Sequence, residues 1–385
     1  MSEPRHGESR HLALVLGGGG ARAAYQVGIL RYLAKQRPHL HFPIITGVSA
    51  GAINVAHLAS HSGDFRESLE DLVTLWRRLT VEQVFRTDFF SSLGMVLRWG
   101  LRLVSGGSRL VPPTRGLVDT RPLGHFLRNA LQLSGEELSG VQKNLERGTL
   151  EAAAITTTNY GTGQSITWVQ GQQPSLWRRP HRLGISCQFT LSHVLASTSL
   201  PLFFPAVQVG SEWHGDGGIR LTAPLSPALH LGAQRILALS TRYPRTHLEA
   251  DRASVRGYPP PAQVAGLLMN AIFLDMLDYD ATTLERISSL LTQLPTEKRN
   301  GLRPVEMLIL RPSQDLGKLA ANFEPQLPRP FRYLARGLGS REVKSQDFLS
   351  MLLFQPQFLA RLMEIGEADA EARGEELLGF VDGTP

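Results

Sequence analysis

The chain has 385 residues, 42% of them hydrophobic, which is enough for a sizeable core and excludes global disorder. It carries a net charge of +6 and a single cysteine, Cys187, so it can form no internal disulfide and suits a reducing compartment. A basic balance suits nucleic acid or an anionic lipid surface; no RNA-binding motif or zinc-ligand spacing supports nucleic acid.

Residues 1–11 are polar and of mixed charge, and the apolar run that follows, Leu12 to Leu16, is shorter than the ~7–15 residues of a secretory core. No stretch approaches the ~18 apolar residues of a spanning helix, so the expectation is a cytoplasmic protein, with any contact at the inner membrane peripheral. Leu12–Leu16 reads as a buried strand and Ala21–Ala34 as a helix with Tyr25, Ile29 and Leu33 on one face. Phe42–Thr46 reads as a second strand, and the segment 50–60 as a second helix. Strand, helix, strand, helix predicts an α/β fold with a mostly parallel sheet under helices.

Leu69–Leu79 continues helical, and 80–120 reads as a lid-like or membrane-docking insertion. Within it, Phe89 to Val118 has no acidic residue but carries Arg98, Arg102, Arg109 and Arg115. Phe90, Leu93, Leu97, Leu101 and Val104 repeat there at helical spacing, as in an interfacial helix or an ordinary core-packed one. "LEAAAITTTNY" and "QSITWVQ" around "GTG" read as a hairpin, Phe189–Ser199 as a helix, "PAVQVGSEW" as a strand and "RILALS" as a late buried strand. Proline and charge after Ser240 mark a boundary. The expected division is an α/β unit before the boundary and a mostly helical region over 250–385. Asp275, Asp278 and Asp280 read as a polar helix face there, and Glu364 to Glu376 as a solvated one.

Four glycines, Gly17 to Gly20, follow the first strand. A dinucleotide fold would want an acidic residue at the end of the second strand, and a phosphate loop would want Gly-Lys-Ser/Thr. Neither is present, which disfavours a nucleotide-binding oxidoreductase. The second strand runs instead into "GVSAG", a Gly-x-Ser-x-Gly elbow between strand and helix, with Gly47 and Gly51 flanking Ser49. The alternative is that Ser49 is a plain helix cap. Acyl transfer needs amide donors aimed at a developing oxyanion, and a side-chain-free loop supplies them, so Gly18, Gly19 and Gly20 suit that task. A serine also needs a base. His193, His214 and His230 are candidates, as is Asp216 in "GDGGIRL", where Gly217 and Gly218 allow a sharp turn. His57 and His61 stand four apart on a helix without the glutamate of a zinc protease, so they read as surface or packing residues.

The order "GGGGARAAYQ", "GVSAGAIN", "GDGGIRL" resembles the patatin-like phospholipases over residues 11–242, and "ASTSLPLFFPAV" and "PLSPALHLGAQRILAL" resemble their bacterial branch. One departure is Ala23, where the family usually has glycine after the loop's basic residue. The resemblance implies a three-layer sandwich and hydrolysis of fatty acyl esters, of phospholipase A or lysophospholipase type, without metal or cofactor. It implies a Ser49–Asp216 dyad and an oxyanion loop braced by Arg22. A phospholipid or lysophospholipid, met at an anionic membrane surface, would be the substrate. A thioesterase or carboxylesterase with the same dyad, and a membrane-associated regulatory protein with a vestigial site, are the alternatives. A homodimer built by the C-terminal region is also open.

Overall fold

The structure is a computed structural model that describes residues 12–86, 116–172, 176–251, 257–327, 332, 336 and 345–383. The arginines at 98, 102, 109 and 115, and the apolar stripe beside them, lie outside the described residues.

Among the described residues ten strands form one sheet: β1 (Leu12–Leu16), β2 (Ile44–Val48), β3 (Ala152–Asn159), β4 (Ser165–Gly171), β5 (Arg178–Arg179), β6 (Arg182–Ser186), β7 (Val207–Val209), β8 (Glu212–Asp216), β9 (Arg235–Leu239) and β10 (Glu306–Leu310). The order is β10-β9-β1-β2-β3-β4-β6-β5. The run from β10 to β3 is parallel, whereas β4 returns antiparallel from β3. Alternate residues of β1 point to opposite faces. Leu12, Leu14 and Leu16 belong to one core; Ala13 and Val15 belong to another.

Helices cover both faces and make three layers. The labelled ones are α1 (Ala24–Gln36), α2 (Ala50–Ser60), α3 (Phe65–Arg78), α4 (Leu191–Ser197), α5 (Pro261–Phe273), α6 (Asp275–Gln293), α7 (Asp347–Leu352) and α8 (Pro356–Ala372). The first core gathers α1, α2, α3 and α8; the second gathers α6. Among the described residues no helix is long and apolar enough to cross a membrane.

β1, α2 and the β3–β4 hairpin form where their patterns predict. The first helix starts later than expected, because Gly20–Ala23 winds as a 3-10 turn. β2 sits two residues further on than expected, which carries it to the elbow. The single strand expected over "PAVQVGSEW" is a hairpin, β7 and β8, turned at Gly210 with φ 61°. β10 went unread: "EMLIL" is one short apolar run within a helical region, and periodicity alone cannot separate such a strand from buried helix.

Glu364 to Glu376 is not simply a solvated face. Through it α8 packs on α1, with Ile365, Gly366 and Ala370 buried. Glu367 pairs with Arg31 and Lys35, and Asp369 accepts from the Tyr25 hydroxyl at 3.0 Å. A Cβ on Gly28 would stand 2.0 Å from the Met363 carbonyl oxygen, and one on Gly366 would stand 2.1 Å from the Tyr25 oxygen. Gly28→Ala is therefore expected to cost about 3 kcal/mol through overpacking, against the ~1 kcal/mol that alanine returns in helix propensity. A urea unfolding midpoint checks this; an unchanged midpoint would mean that the two helices can part freely.

Candidate active site

The register of β3 brings the site together. On the edge of β3 opposite β4, β2 ends with Val48 opposite Thr156. β8 arrives from the other direction on the same edge and ends with Asp216 opposite Thr157. Two C-terminal strand ends therefore abut on adjacent residues of one strand, with Ser49 just beyond one and Asp216 closing the other. Asp216 is pinned there by its N–H to the Ser199 carbonyl at 2.9 Å, and by Thr158 Oγ1 donating to its carbonyl at 2.8 Å.

Ser49 sits at φ 56°, ψ −134°, a left-handed conformation that a non-glycine residue adopts only under constraint. The constraint is packing. A Cβ on Gly51 would be 2.3 Å from the Leu16 carbonyl oxygen, and one on Gly47 would be 2.6 Å from Val55 Cγ2, so both positions demand glycine. Ser49 N–H donates to Ser197 Oγ at 3.0 Å, and that hydroxyl donates to the Thr156 carbonyl at 2.7 Å. Ser49 occupies the N-cap position of α2, yet its side chain makes no cap hydrogen bond. The plain-cap reading therefore fails; Ser49 and Asp216 border one cavity, and the hydroxyl lies near enough to the carboxyl to favour its charged form.

Asp216 is completely enclosed. Oδ1 accepts from Gly218 N–H at 2.9 Å, while Oδ2 has no partner at hydrogen-bond distance and angle among the described residues. Burial pushes the carboxyl up to about 7; the Ser49 hydroxyl and the Gly218 amide oppose that rise only in part. Gly217 and Gly218 are required by close approach, since a Cβ would meet the Thr156 carbonyl oxygen at 2.2 Å and the Phe273 ring at 2.4 Å respectively.

The glycine loop lies over the hydroxyl. A Cβ on Gly18 would be 3.0 Å from Ser49 Cβ and 3.5 Å from its Oγ. Gly18 and Gly19 are buried, and among the described residues nothing accepts from their N–H groups. Gly19 (φ 139°) and Gly20 (φ 58°) take conformations that favour glycine. Ala23 is αR (φ −64°), so the methyl at the position that departs from the family pattern imposes no strain.

Several residues that hold this loop were missed in the sequence. Thr241 Oγ1 donates to the Gly18 carbonyl at 2.8 Å. Gln26 Nε2 donates to the Gly17 and Leu239 carbonyls at 2.9 and 3.1 Å; Asn54 Nδ2 donates to Gln26 Oε1 at 3.1 Å, and Trp76 Nε1 to Asn54 Oδ1 at 2.7 Å. The available signal was an uncharged amide inside each of two otherwise apolar helix runs. Arg22, 3% exposed, is not a surface charge: Nε donates to Ser350 Oγ and Nη2 to Asp347 Oδ1, both at 2.7 Å. Its charge is matched within α7, which suits a brace on the loop and not a direct oxyanion donor.

A narrow apolar cavity opens at Ser49 and Asp216, walled by Ile53, Leu79, Leu200, Phe204, Phe273 and Phe354 among others, and no histidine among the described residues borders it. His214, two residues before Asp216, meets Thr157 Oγ1 through Nδ1 at 3.1 Å. His193 Nδ1 accepts from Thr190 N–H at 3.0 Å, and burial pushes this imidazole down to about 4. His230 stacks on Trp177, ring centroids 4.5 Å apart. His57 meets the Ser68 carbonyl at 2.8 Å and His61 meets Asp71 at 3.2 Å. Among the described residues these imidazoles thus lie off the cavity that Ser49 and Asp216 share, His214 with Nε2 buried and without a hydrogen-bond partner. Burial also pushes the Cys187 thiol up to about 12.

The trio on α6 is more than a polar face. Asp275 and Asp278 pair with Arg242 at 2.6 Å each, and Asp280, half-buried with its carboxyl raised by burial, accepts from Leu225 N–H at 2.8 Å.

The sequence profile of the family described as patatin-like phospholipase matches residues 14–229. That is more than half of the chain, and the chain belongs to this family. It is similar to calcium-independent phospholipase A2-gamma of Mus musculus, 26% identical over 222 residues, covering 56% of this chain and 25% of the relative. The Homo sapiens protein of that name is 28% identical over 225 residues with the same coverage. The chain thus spans about a quarter of the length of these relatives. Among solved structures, human GIVD cytosolic phospholipase A2 superposes with a TM-score of 0.41 at 13% identity, covering 98% of this chain and 61% of that one. VipD from Legionella pneumophila gives 0.30 at 14% identity, covering 91% and 67%.

Proposed function

We propose that this chain is a lipid acyl hydrolase of phospholipase A or lysophospholipase type, with Ser49 as nucleophile and Asp216 as its base. The observation that carries the reading is a cap-position hydroxyl left free of the helix, on one cavity with a fully buried carboxyl pushed up to about 7, beneath two buried amides that find no acceptor among the described residues. A solvated aspartate, at about 3.9, is too weak a base for a hydroxyl; one near 7 is matched to its task at neutral pH.

The Asp216 carboxylate takes the hydroxyl proton as Ser49 Oγ adds to the ester carbonyl carbon. The Gly18 and Gly19 amides receive the oxyanion, and the positive end of α2 points to the same place. The tetrahedral species collapses and its C–O bond breaks. Asp216 returns the proton to the departing alcohol, leaving an acyl group on Ser49. Water then attacks this ester while Asp216 accepts its proton. Fatty acid leaves, and the proton goes back to Oγ. The apolar walls of the cavity suit an acyl chain. The catalytic unit proposed is residues 11–242, with 250–385 contributing Phe273, Arg22's partners and the β10 edge. Placement in the bacterial branch rests on the stretches flanking Asp216.

The test is hydrolysis of phospholipids, lysophospholipids, acyl-CoA and a soluble short-chain ester. kcat/KM is expected to rise with pH through about 7, as Asp216 loses its proton. A preference for acyl-CoA would move the assignment to a thioesterase. Hydrolysis of none of the four would reject the hydrolase reading.

A further inference from the structure

Residues 257–274 contain no Asp, Glu, Lys or Arg, and α5 occupies most of them. So apolar a helix would ordinarily be enclosed, yet Gly266 alone of its residues is buried. Val264, Leu267 and Leu268 are 45%, 55% and 55% exposed. Their spacing of three and four residues puts them on one stripe. Single exposed leucines need no explanation; a stripe of them on an uncharged helix does. At ~1.5 Å per residue α5 is about 20 Å long, too short for the ~30 Å hydrocarbon layer. It can lie in a membrane surface but not cross it.

Its position connects it to the candidate site. Phe273, its last residue, walls the cavity of Ser49. Its inner side rests on α7, where a Cβ on Gly266 would be 3.6 Å from the Phe348 amide nitrogen. The Phe348 ring meets Phe203 with centroids 5.1 Å apart. Beside Phe203, Leu202 is 71% exposed and holds φ 68°, a left-handed conformation that disfavours leucine. Leu200 and Phe204, on either side of that pair, wall the same cavity. The outward leucine is thus held under backbone strain at the rim of the site.

We infer that the exposed stripe of α5 and Leu202 form the surface on which this chain settles into a lipid bilayer, with the cavity mouth turned toward the acyl–headgroup boundary. The inference rests on the lipid-hydrolase reading above. A bilayer fits better than a second copy of this chain, because Phe273 at the end of α5 and Leu200 and Phe204 beside Leu202 wall the cavity, and a second copy seated there would cover the elements through which an ester reaches Ser49. With no charge along 257–274, burial of apolar surface drives the docking, and attraction to anionic lipid is not required.

The test is co-sedimentation with phosphatidylcholine vesicles, comparing wild type with the double variant Leu267→Glu, Leu268→Glu. The exposed positions should leave folding intact, which a melting curve checks. Vesicle partition is expected to fall by about tenfold or more. Hydrolysis of vesicle phospholipid should fall with it, whereas hydrolysis of a soluble short-chain ester stays unchanged. Leu202→Ser, which removes only the side chain at the rim, should give a smaller loss of the same kind. Equal partition of wild type and double variant would overturn the inference, as would loss of wild-type binding at high salt. A wild-type dimer that the variant dissociates would assign the face to a second copy. Wild type that binds vesicles but hydrolyses neither substrate would overturn the hydrolase reading and leave the docking surface standing.

Discussion

Asp216→Asn is expected to lower kcat for ester hydrolysis by about 10³–10⁴-fold and, above pH 7, to make the protein more stable. Both effects follow from the enclosure of the carboxyl, which burial pushes up to about 7 from the 3.8 of a free aspartate. Asparagine keeps an oxygen for the Gly218 amide but takes no proton from Ser49. For stability, the folded state holds the proton more tightly than the unfolded chain does. Stability from the neutral carboxyl is therefore fully present below about 3.8 and is lost as pH rises through about 7. Above that range the wild-type fold encloses a charge, a penalty on the order of 4 kcal/mol before any relaxation. Asparagine carries no charge to enclose. Urea midpoints should nearly match near pH 4, at the lower edge of the window, and separate in the variant's favour near pH 8, about one unit above its upper edge. A variant that kept most of its activity would exclude Asp216 as the base and return the question to the histidines.

Changing Ser49 separates chemistry from strain. Ser49→Ala and Ser49→Gly are both expected to lose hydrolysis by about 10⁴-fold or more, since the acyl-enzyme cannot form, and to lose covalent labelling by a fluorophosphonate. Their stabilities should differ. Alanine must still adopt φ 56° at the elbow, whereas glycine occupies that region without a Cβ penalty. Relief of about 1–3 kcal/mol of strain is offset by the ~0.4–1 kcal/mol of extra freedom that glycine has in the unfolded chain. The glycine variant should therefore unfold at a higher urea concentration than the alanine variant. Persistent labelling of either variant would place the nucleophile elsewhere. Absent labelling of the wild type would favour the vestigial, regulatory alternative.

Each part of the candidate site carried a local signal, and the parts were legible for that reason. "GVSAG" was readable because a strand before it and a helix after it are short-range patterns, and because glycine is demanded on both sides of a strained serine. "GDGG" was weaker, because such turns are common; its weight came from company with the other two motifs. The supports were harder to see. Gln26 and Asn54 look like ordinary helix positions until Trp76, from a third helix, completes their chain of hydrogen bonds. Arg22 gave no hint that its partners would be Asp347 and Ser350. β10 went unread because a five-residue apolar run has no period of its own, and pairing with β9 is what makes it a strand.

By itself the sequence determined a layered α/β chain, an elbow serine, a side-chain-free loop and a carboxylate on a glycine turn. These depend on neighbours within a few residues, where φ/ψ preference and side-chain period act directly. Only the tertiary structure decided that β2 and β8 meet end to end on β3, that Asp216 is shut away from water, and that α5 leaves its leucines uncovered at the mouth of the cavity. Strand register and burial depend on segments far apart in the chain. Their free energies are settled by what packs against what, and no local pattern records that.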